Sequence, residues 1–459
     1  MELRAREADA LTKYLGYYTP LVGDKRTLRA FQGTVKGIIG AESLVCTRIA
    51  AHSPELAGSA NGEQRIRRMV SGETTERSTL DAAAITQRLR ERGVEQLQGE
   101  EEIWVMVDSS DLRKPYAHEM EALMRVPKLE GQGLTNGYRT LNAFGLGRER
   151  RGILYHRLFS SQEAEFRSES VEVQEALQTI IAAIKPLGAR IIYGLDSGFD
   201  DVAVWGTIWE ANQHLVCRVY HLKRVVDQQT ATQTWQRVSL EQAACHLHEW
   251  AVAETELVVQ KEGQAYAKRQ TVKIHIAACA VQITYKVNMR TQKAGAQRHK
   301  LAWLVKVTPE DTGWDPWWLI TDLPLEDADS ATRVLAIYRQ RWAAEDTFKV
   351  TKECLGWEEI QLLGLEAVRN LTALAWVAAG FLYELGVTFE WPEIRVLARL
   401  GGWEERQDPK RRPGKIVLMR GLRRLLDLLA TEAILADEIA THGALPPRLA
   451  ALIGRTSPD

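Results

Sequence analysis

Residues 338–352 read YRQRWAAEDTFKVTK, and side chains that can bind phosphate or metal recur in this stretch at helical spacing. They are Tyr338, Arg341, Glu345, Lys349 and Lys352, separated by steps of 3, 4, 4 and 3 residues. At about 100° per residue on a helix, they fall within a stripe roughly 80° wide. A stripe that faces a protein core should be apolar. This one is therefore either a solvated face held by ion pairs or a surface that meets phosphate and metal.

Two more carboxylates follow short apolar runs that have the composition of buried strands. IWVMVD (103–108) ends in Asp108 and RIIYGLD (190–196) ends in Asp196, and a serine follows each aspartate. In open α/β sheets, functional groups gather at the carboxyl ends of the strands. With Glu345, three carboxylates would meet at one edge of a sheet, where they repel one another unless divalent cations lie between them.

Mg²⁺ suits such a set of carboxylates, because it prefers oxygen ligands and keeps several of its waters. Two ions about 4 Å apart can clamp the attacking and leaving oxygens of an in-line phosphoryl displacement. Each carboxylate taken singly also has an ordinary explanation, since a strand-end Asp is often a turn or cap residue. A lone glutamate on a helix is usually solvated. The combination with the Tyr-Arg-Lys stripe favours a phosphoryl-transfer site.

The elements that would position these residues form a mixed α/β layer. Hydrophobic patterns predict three strands in a meander, a helix, a strand, a second helix and a strand. The meander strands are predicted at 103–108, 140–147 and 152–159, the helices at 171–188 and 200–212, and the last two strands at 190–196 and 214–221.

A strand-rich segment interrupts this layer, and its alternating pattern predicts antiparallel strands with one face exposed to water. Helical spacing resumes at 330, with Ser330 as the predicted N-cap, and is predicted to continue to about 386. The two ends of the chain also have helical patterns. The predicted domains are a helical N-terminal domain at 1–98, a core at 99–222, a β-rich insertion at 223–322, the second part of the core at 323–388 and a helical C-terminal region at 389–459.

Composition indicates an ordinary globular protein. The 459 residues are 45% hydrophobic and 26% charged, with a net charge of −1, so DNA or RNA would have to be met by local basic patches. The five cysteines are scattered, which favours a reducing cytoplasm over a disulfide scaffold. The charged start MELRAREADA does not have the pattern of a signal peptide. The apolar run at 371–383 is too short for a membrane span and is predicted to be a buried helix.

The spacing Tyr338-x2-Arg341-x3-Glu345-x6-Lys352 resembles the signature of insertion-sequence transposases of the DDE, RNase H-like superfamily. The branch it resembles is the fourth-insertion-sequence type, which carries a β insertion before the third carboxylate. Asp108 and Asp196 are similar to the family's first two acidic residues. The resemblance is clear from roughly 100 to 386, weaker over 1–99 and only general after 390.

This resemblance implies an α/β fold with an RNase H-like mixed sheet, helices on both of its faces, a β-strand-rich insertion and helical N- and C-terminal regions. It also implies catalysis with two Mg²⁺ ions, for which Mn²⁺ can substitute. Asp108 would bridge both ions, Asp196 would bind one and Glu345 the other. DNA would be cut at the ends of a mobile element, and the freed 3′-hydroxyls would be joined to target DNA.

The resemblance further implies a set of residues that bind DNA. Lys349 has two interpretations, contact with phosphate or an ion pair with Glu345. Trp317 could stack on a flipped base or belong to the core, and Trp318 beside it would point to the other side of a strand. The residues expected to bind DNA are Tyr338, Arg341, Lys349, Lys352, Trp317, Arg218, Arg65 and Arg68.

The implied partners are double-stranded DNA, as element ends and as target, and a second copy of the chain in the complex that pairs the ends. No membrane is implied, and the implied location is the prokaryotic cytoplasm, at the nucleoid. Several family members excise the element through a DNA hairpin. Two alternatives remain open on the same fold: a catalytically silent DNA-binding regulator of transposition, and a structure-specific nuclease.

Overall fold

The chain divides into two compact units, each made of segments that are separate in the sequence. The structure is a computed structural model that describes residues 10–53, 56, 59–71, 80–129, 132–148, 150–229, 234–259, 268–286, 297–341, 350–351, 355–404, 413–447 and 450. One unit comprises Leu89–Asp111 and Ala122–Glu345 and contains nearly all of the β structure. The other comprises Met1–Arg88, Leu112–Glu121 and Asp346–Asp459 and is mainly helical.

The β-rich unit is built on one mixed sheet. Its strands before the interrupting segment are β1 (Glu102–Arg113), β2 (Met124–Pro127), β3 (Leu134–Leu146), β4 (Arg151–Phe159), β5 (Arg190–Leu195) and β6 (His214–Arg218). Those of the interrupting segment are β7 (Val225–Gln229), β8 (Trp235–Ser239), β9 (His248–Val259), β10 (Lys268–Tyr285), β11 (Arg298–Pro309) and β12 (Trp317–Thr321). The spatial order is β2-β3-β1-β5-β6-β12-β11-β10-β7-β8, with β4 paired to β3 and β9 paired to β10.

The eleven α-helices that the structure bounds within the described residues are given in chain order. They are α1 (Lys25–Ala41), α2 (Cys46–Ala51), α3 (Ser59–Ser71), α4 (Ala82–Gln96), α5 (Glu169–Ile184), α6 (Val202–Glu210), α7 (Leu240–Ala243), α8 (Ala328–Arg339), α9 (Leu365–Thr388), α10 (Trp391–Leu400) and α11 (Lys415–His442). Residues 10–16 are helical as well.

Helices cover both faces of the central parallel strands. On β5, Ile191, Tyr193 and Leu195 point into a core that also contains the apolar residues of α5 and α6. Gly194 points to the other face, where an added Cβ would lie 2.4 Å from Met106 Sδ and 3.8 Å from the Ile337 carbonyl oxygen of α8. The period-two alternation of the strand therefore separates two helical layers, and glycine allows the close approach on the second face. The predicted mixed α/β fold is confirmed.

The interrupting segment is β-rich, as predicted, and it returns to the sheet through its last strand. β10 pairs antiparallel with both β9 and β11, and β11 pairs with β12. β12 then pairs antiparallel with β6, so that Leu319 lies opposite Arg218. The insertion thus delivers β12 directly beside the core strand whose end carries Arg218.

The helical unit contains the long apolar helix α9. Over Leu365–Gly386 it is long and apolar enough to cross a membrane by length and composition, but 89% of that apolar window is buried inside the protein. Asn370 Nδ2 donates to the Val70 carbonyl and Tyr14 Oη donates to the Val377 carbonyl, both at buried positions. The prediction of a buried helix at 371–383 is confirmed, although burial rather than length decides it.

Three local predictions were wrong, and one short strand was missed. The strand predicted at 103–108 continues to Arg113, so Asp108 lies inside β1 rather than at its end. The short strand β2 was not predicted, because its four residues MRVP carry little hydrophobic signal. The N-cap of α8 is Asp327, whose carboxylate accepts from Ser330 N, while Ser330 is the third residue of the helix and completes the capping box. Helix does not continue unbroken to 386, since a single 3₁₀ turn at Trp357–Glu359 and extended residues precede α9.

Candidate active site

Three polar residues form a row across three adjacent parallel strands of the β-rich unit. β1 pairs in parallel with β5, with Val107 opposite Leu195, and β5 pairs in parallel with β6, with Leu195 opposite Cys217. The next residue on each strand is therefore Asp108, Asp196 and Arg218. Because Val107, Leu195 and Cys217 all point into the core, these three side chains point to the opposite face.

Arg341 lies over the two aspartates of this row. Its Nη1 is 3.9 Å from Asp108 Oδ2 and 3.8 Å from Asp196 Oδ2. The Arg341 side chain is 9% exposed, against 13% for Asp108 and 31% for Asp196. A single guanidinium therefore offsets the repulsion between two neighbouring carboxylates in a largely dry environment.

Tyr338, one helical turn before Arg341, also contacts Asp196. Its Oη lies 3.5 Å from Asp196 Oδ1, at the long end of the hydrogen-bond range. Burial and the charge of Asp196 raise the pKa of Tyr338, while the charge of Arg341 and the charge and hydrogen bond of Arg218 oppose the rise. The phenol therefore stays protonated near neutral pH and keeps a proton to donate.

Helix α8, which carries Tyr338, is attached to strands near its middle and at its C-terminal end. The Arg333 guanidinium near its middle pairs with Glu102 on β1. Arg339 Nη2 at its end donates to the Glu256 carbonyl of β9, at 2.8 Å. These contacts set the angle and height at which the helix presents Tyr338 to the row of Asp108, Asp196 and Arg218.

Trp317 lies against the same helix and is buried. Its ring centroid is 6.2 Å from that of Tyr338 and 6.1 Å from that of Trp314, and the residue is 6% exposed. Trp318 points to the opposite side of β12, where it packs on the core and receives Lys306 Nζ at 5.5 Å from its ring centroid. The structure brings Trp317 beside the cluster, with Trp314 covering one side of it.

The structure thus brings together six of the residues singled out from the sequence: Asp108, Asp196, Arg218, Trp317, Tyr338 and Arg341. Glu345, Lys349 and Lys352 lie outside the described residues. Within the described part of the chain, no group of three or more His, Cys, Asp or Glu residues could hold a metal ion. The row contributes two carboxylates, and the third expected ligand is Glu345.

The basic residues of the N-terminal region lie on helix α3. Arg65 is half-buried and Arg68 is exposed. Arg67, beside them, pairs with Glu63 at 2.8 Å and donates to the Gln361 carbonyl at 3.1 Å. Arg67 therefore has a structural role inside the helical unit. The residues of this helix that we expect to bind DNA are Arg65 and Arg68.

Asp200 has a role that sequence reasoning missed. The Asp200 carboxylate is buried and accepts the backbone N–H groups of Tyr220 and His221, at 2.7 and 2.8 Å. Arg224 pairs with the same carboxylate. Asp200 therefore ties the loop after β5 to the loop after β6. The sequence DSGFDD has several acidic residues at this point and does not indicate which of them is buried.

Residues 160–379 of the chain match the family model described as the transposase DDE domain. The match includes Asp196, Arg218, Tyr338 and Arg341 and begins after Asp108. The match shows similarity to the transposase DDE domain over 220 of the 459 residues. No curated protein matches the chain.

Proposed function

We propose, from the premise that this chain carries a transposase DDE domain over residues 160–379, that it is the DNA transposase of an insertion sequence. It binds the terminal inverted repeats of the element, cuts the DNA and joins the freed 3′-hydroxyls to target DNA. The observation that carries the proposal is the row of Asp108 and Asp196 on adjacent parallel strands, directly after the last β1–β5 pair, with Arg341 over both carboxylates.

The residues at this edge fit divalent metal. Two carboxylates in register on neighbouring strands offer only oxygen ligands, which is the donor set that Mg²⁺ and Mn²⁺ prefer. Asp108, Asp196 and Glu345 would hold two ions. When bound, the ions polarise the scissile phosphate and lower the pKa of the attacking water or 3′-hydroxyl.

The other residues of the cluster would orient the phosphate. Arg341 has a planar fork of donors that suits two phosphate oxygens. Its guanidinium can release the two carboxylates and bind the substrate phosphate while it keeps its positive charge. Tyr338 can donate its hydroxyl proton to a phosphate oxygen, because its raised pKa keeps it neutral. Arg218 completes the cationic side of the row. Lys349 and Lys352 would add positive charge along the DNA strand that leaves the site.

DNA-end recognition would involve the rest of the chain. We assign end binding to the helical N-terminal domain at 1–98, through Arg65 and Arg68, and base stacking to Trp317 after Trp314 moves aside. The core at 99–222 and 323–388 would hold the chemistry, and the insertion at 223–322 and the C-terminal region at 389–459 would frame it. The active species would be a homodimer on paired ends, in the prokaryotic cytoplasm at the nucleoid. Excision would follow cut-and-paste, with a hairpin as a candidate route.

The proposal is tested with the DNA that flanks the gene. The full chain is incubated with Mg²⁺, a fragment carrying both flanks and a target plasmid, and the products are separated on a denaturing gel. Joined products support the transposase. Cutting without joining would instead indicate a structure-specific nuclease, and binding without cutting would indicate a silent regulator of transposition. Absence of binding to either flank would overturn the proposal.

A further inference from the structure

We propose that Tyr220 and His221 form an aromatic docking pair for an unpaired nucleobase of the DNA strand whose phosphate lies at Asp108 and Asp196. This inference rests on the proposed function, since it names a further contact between the same site and its substrate. It starts from an exposed aromatic side chain directly after a strand of the site.

Tyr220 is 77% exposed and so presents a nearly complete ring to solvent. His221 packs against it, with ring centroids 5.5 Å apart and an interplanar angle of 75°. This edge-to-face arrangement leaves ring surface open to a third ring. Nucleobases stack on such surfaces whatever their sequence, because every base has an aromatic face.

The position of Tyr220 follows from its closeness in the chain to Arg218. Arg218 is the third member of the row and the last residue of β6, and Val219 points into the core. The chain turns after β6, because the consecutive backbone N–H groups of Tyr220 and His221 bond to the same Asp200 oxygen. Tyr220 is two residues after Arg218, so its Cα lies within about 7.6 Å of the Arg218 Cα. A base one nucleotide from the phosphate at the row can reach that distance.

Asp200 holds the pair in place. Its buried carboxylate accepts the backbone N–H groups of both Tyr220 and His221. Arg224 closes the loop, because its Nη2 donates to the Asp200 carbonyl at 2.8 Å and its guanidinium lies 4.7 Å from the centroid of the Trp205 ring. An aromatic pair whose backbone is already fixed loses little entropy on binding, which favours a binding role.

The surroundings of the pair suit a nucleic acid better than a protein. Lys223 is exposed beside it, Arg218 precedes it and His221 belongs to it. A small aromatic pair among cationic and polar groups provides stacking together with attraction for phosphate. A protein partner would more often meet a wider apolar core at its interface.

The test compares Tyr220→Leu, Tyr220→Phe and the full wild-type chain, without divalent ions so that no cutting occurs. The probes are a mixed-sequence single-stranded oligonucleotide that carries a fluorescent adenine analogue, and the duplex of the same sequence. Tyr116→Leu is the matched control, because Tyr116 is 92% exposed and belongs to the helical unit. Affinity is measured by fluorescence anisotropy and stacking by quenching of the analogue.

We expect Tyr220→Leu to weaken single-strand binding about tenfold and to abolish quenching, with a much smaller effect on the duplex. Tyr220→Phe and Tyr116→Leu should behave as wild type. The inference is overturned if Tyr220→Leu binds the single strand as wild type does, or if Tyr220→Phe loses as much as Tyr220→Leu, since the hydroxyl rather than the ring would then make the contact. Cutting of the flank DNA is measured separately with Mg²⁺. A chain that cuts normally but fails this test refutes only the docking pair, and a chain that neither binds nor cuts DNA refutes the proposed function.

Discussion

At the scale of single residues, the candidate site depends on two periodicities. The helical steps of the 338–352 stripe placed Tyr338 and Arg341 on one face, and both contact Asp196 in the structure. The ends of two apolar runs predicted that Asp108 and Asp196 lie close together, and the register makes them neighbours, although β1 continues past Asp108. The sequence does not indicate that the Arg341 guanidinium is close enough to contact both carboxylates, because that distance depends on how α8 packs on the sheet.

The third carboxylate has a direct test. We expect Glu345→Ala to bind the flank DNA as wild type does and to lose cutting by about a thousandfold or more, because loss of a metal ligand removes several kcal/mol of transition-state stabilisation. Binding is measured by gel shift and cutting by gel electrophoresis with Mg²⁺. Normal cutting by this variant would show that Glu345 is not a ligand.

At the scale of elements, the insertion is joined to the core at a buried carboxylate. The side chain of Asp322, directly after β12, is 0% exposed and accepts from His214 Nδ1 at 3.0 Å and from Leu215 N at 3.0 Å, while Lys300 Nζ of β11 lies 3.1 Å away. Burial alone would raise the pKa of Asp322, but the hydrogen bonds of His214 and Leu215 and the charge of Lys300 lower it below its usual value.

This geometry predicts a pH-dependent contribution to stability. The carboxylate of Asp322 has a lower pKa in the folded chain than in the unfolded one, so its stabilisation is present above about pH 4 and is lost as the pH falls through the folded pKa. Asp322→Asn should lower the free energy of unfolding by on the order of 3 kcal/mol at neutral pH.

Thermal unfolding measured across pH provides the check. The difference between Asp322→Asn and wild type should shrink below about pH 4, where the unfolded chain takes up the Asp322 proton before the folded chain does. Asp315→Asn serves as the control, because Asp315 is exposed. A difference that stays constant from neutral to acid pH would contradict the role of the Asp322 charge.

The segment between the signature and α9 shows where local patterns fail. Gly356 has a φ of +59°, which ends any helical continuation. The buried Lys114 donates Nζ hydrogen bonds to the Glu358 and Ile360 carbonyls, at 2.6 and 2.5 Å. Both contacts join residues more than two hundred positions apart, so hydrophobic periodicity in one stretch could not reveal them.

Lys114 offers a second test at this scale. Burial lowers its pKa to about 8, although Glu358 and Glu359 oppose that change. Because the unfolded chain binds this proton more tightly, its stability contribution should rise between about pH 8 and pH 10. Lys114→Met should remove that rise and should increase amide hydrogen exchange over 355–364, since two buried carbonyls lose their donor. The exposed Lys128→Met is the control, and unchanged amide exchange in Lys114→Met would refute a stabilising role for the two Lys114 hydrogen bonds.

At the scale of the whole molecule, composition was informative mainly through what it did not favour. A net charge of −1 predicts no general attraction to DNA, so we propose that DNA binding comes from local groups such as Arg218, Arg341, Arg65 and Arg68. The alternation of strand and helix patterns was sufficient for the mixed α/β core and its β-rich insertion. The division into two compact units could not be predicted from the sequence, because each unit is assembled from segments that are distant along the chain.

The most direct test of the central claim, that Asp196 holds metal for phosphoryl transfer, is the metal dependence of cutting by Asp196→Cys. A thiolate is a poor ligand for Mg²⁺ and a better one for Mn²⁺. Gly198→Cys is the matched control, because an added Cβ there meets no atom within 4 Å.

We expect Asp196→Cys to cut flank DNA at least about a hundredfold more slowly than wild type with Mg²⁺. It should recover part of that activity with Mn²⁺, while Gly198→Cys should keep wild-type activity with both ions. Undiminished cutting by Asp196→Cys with Mg²⁺, or an equal loss with both ions, would contradict metal binding by Asp196.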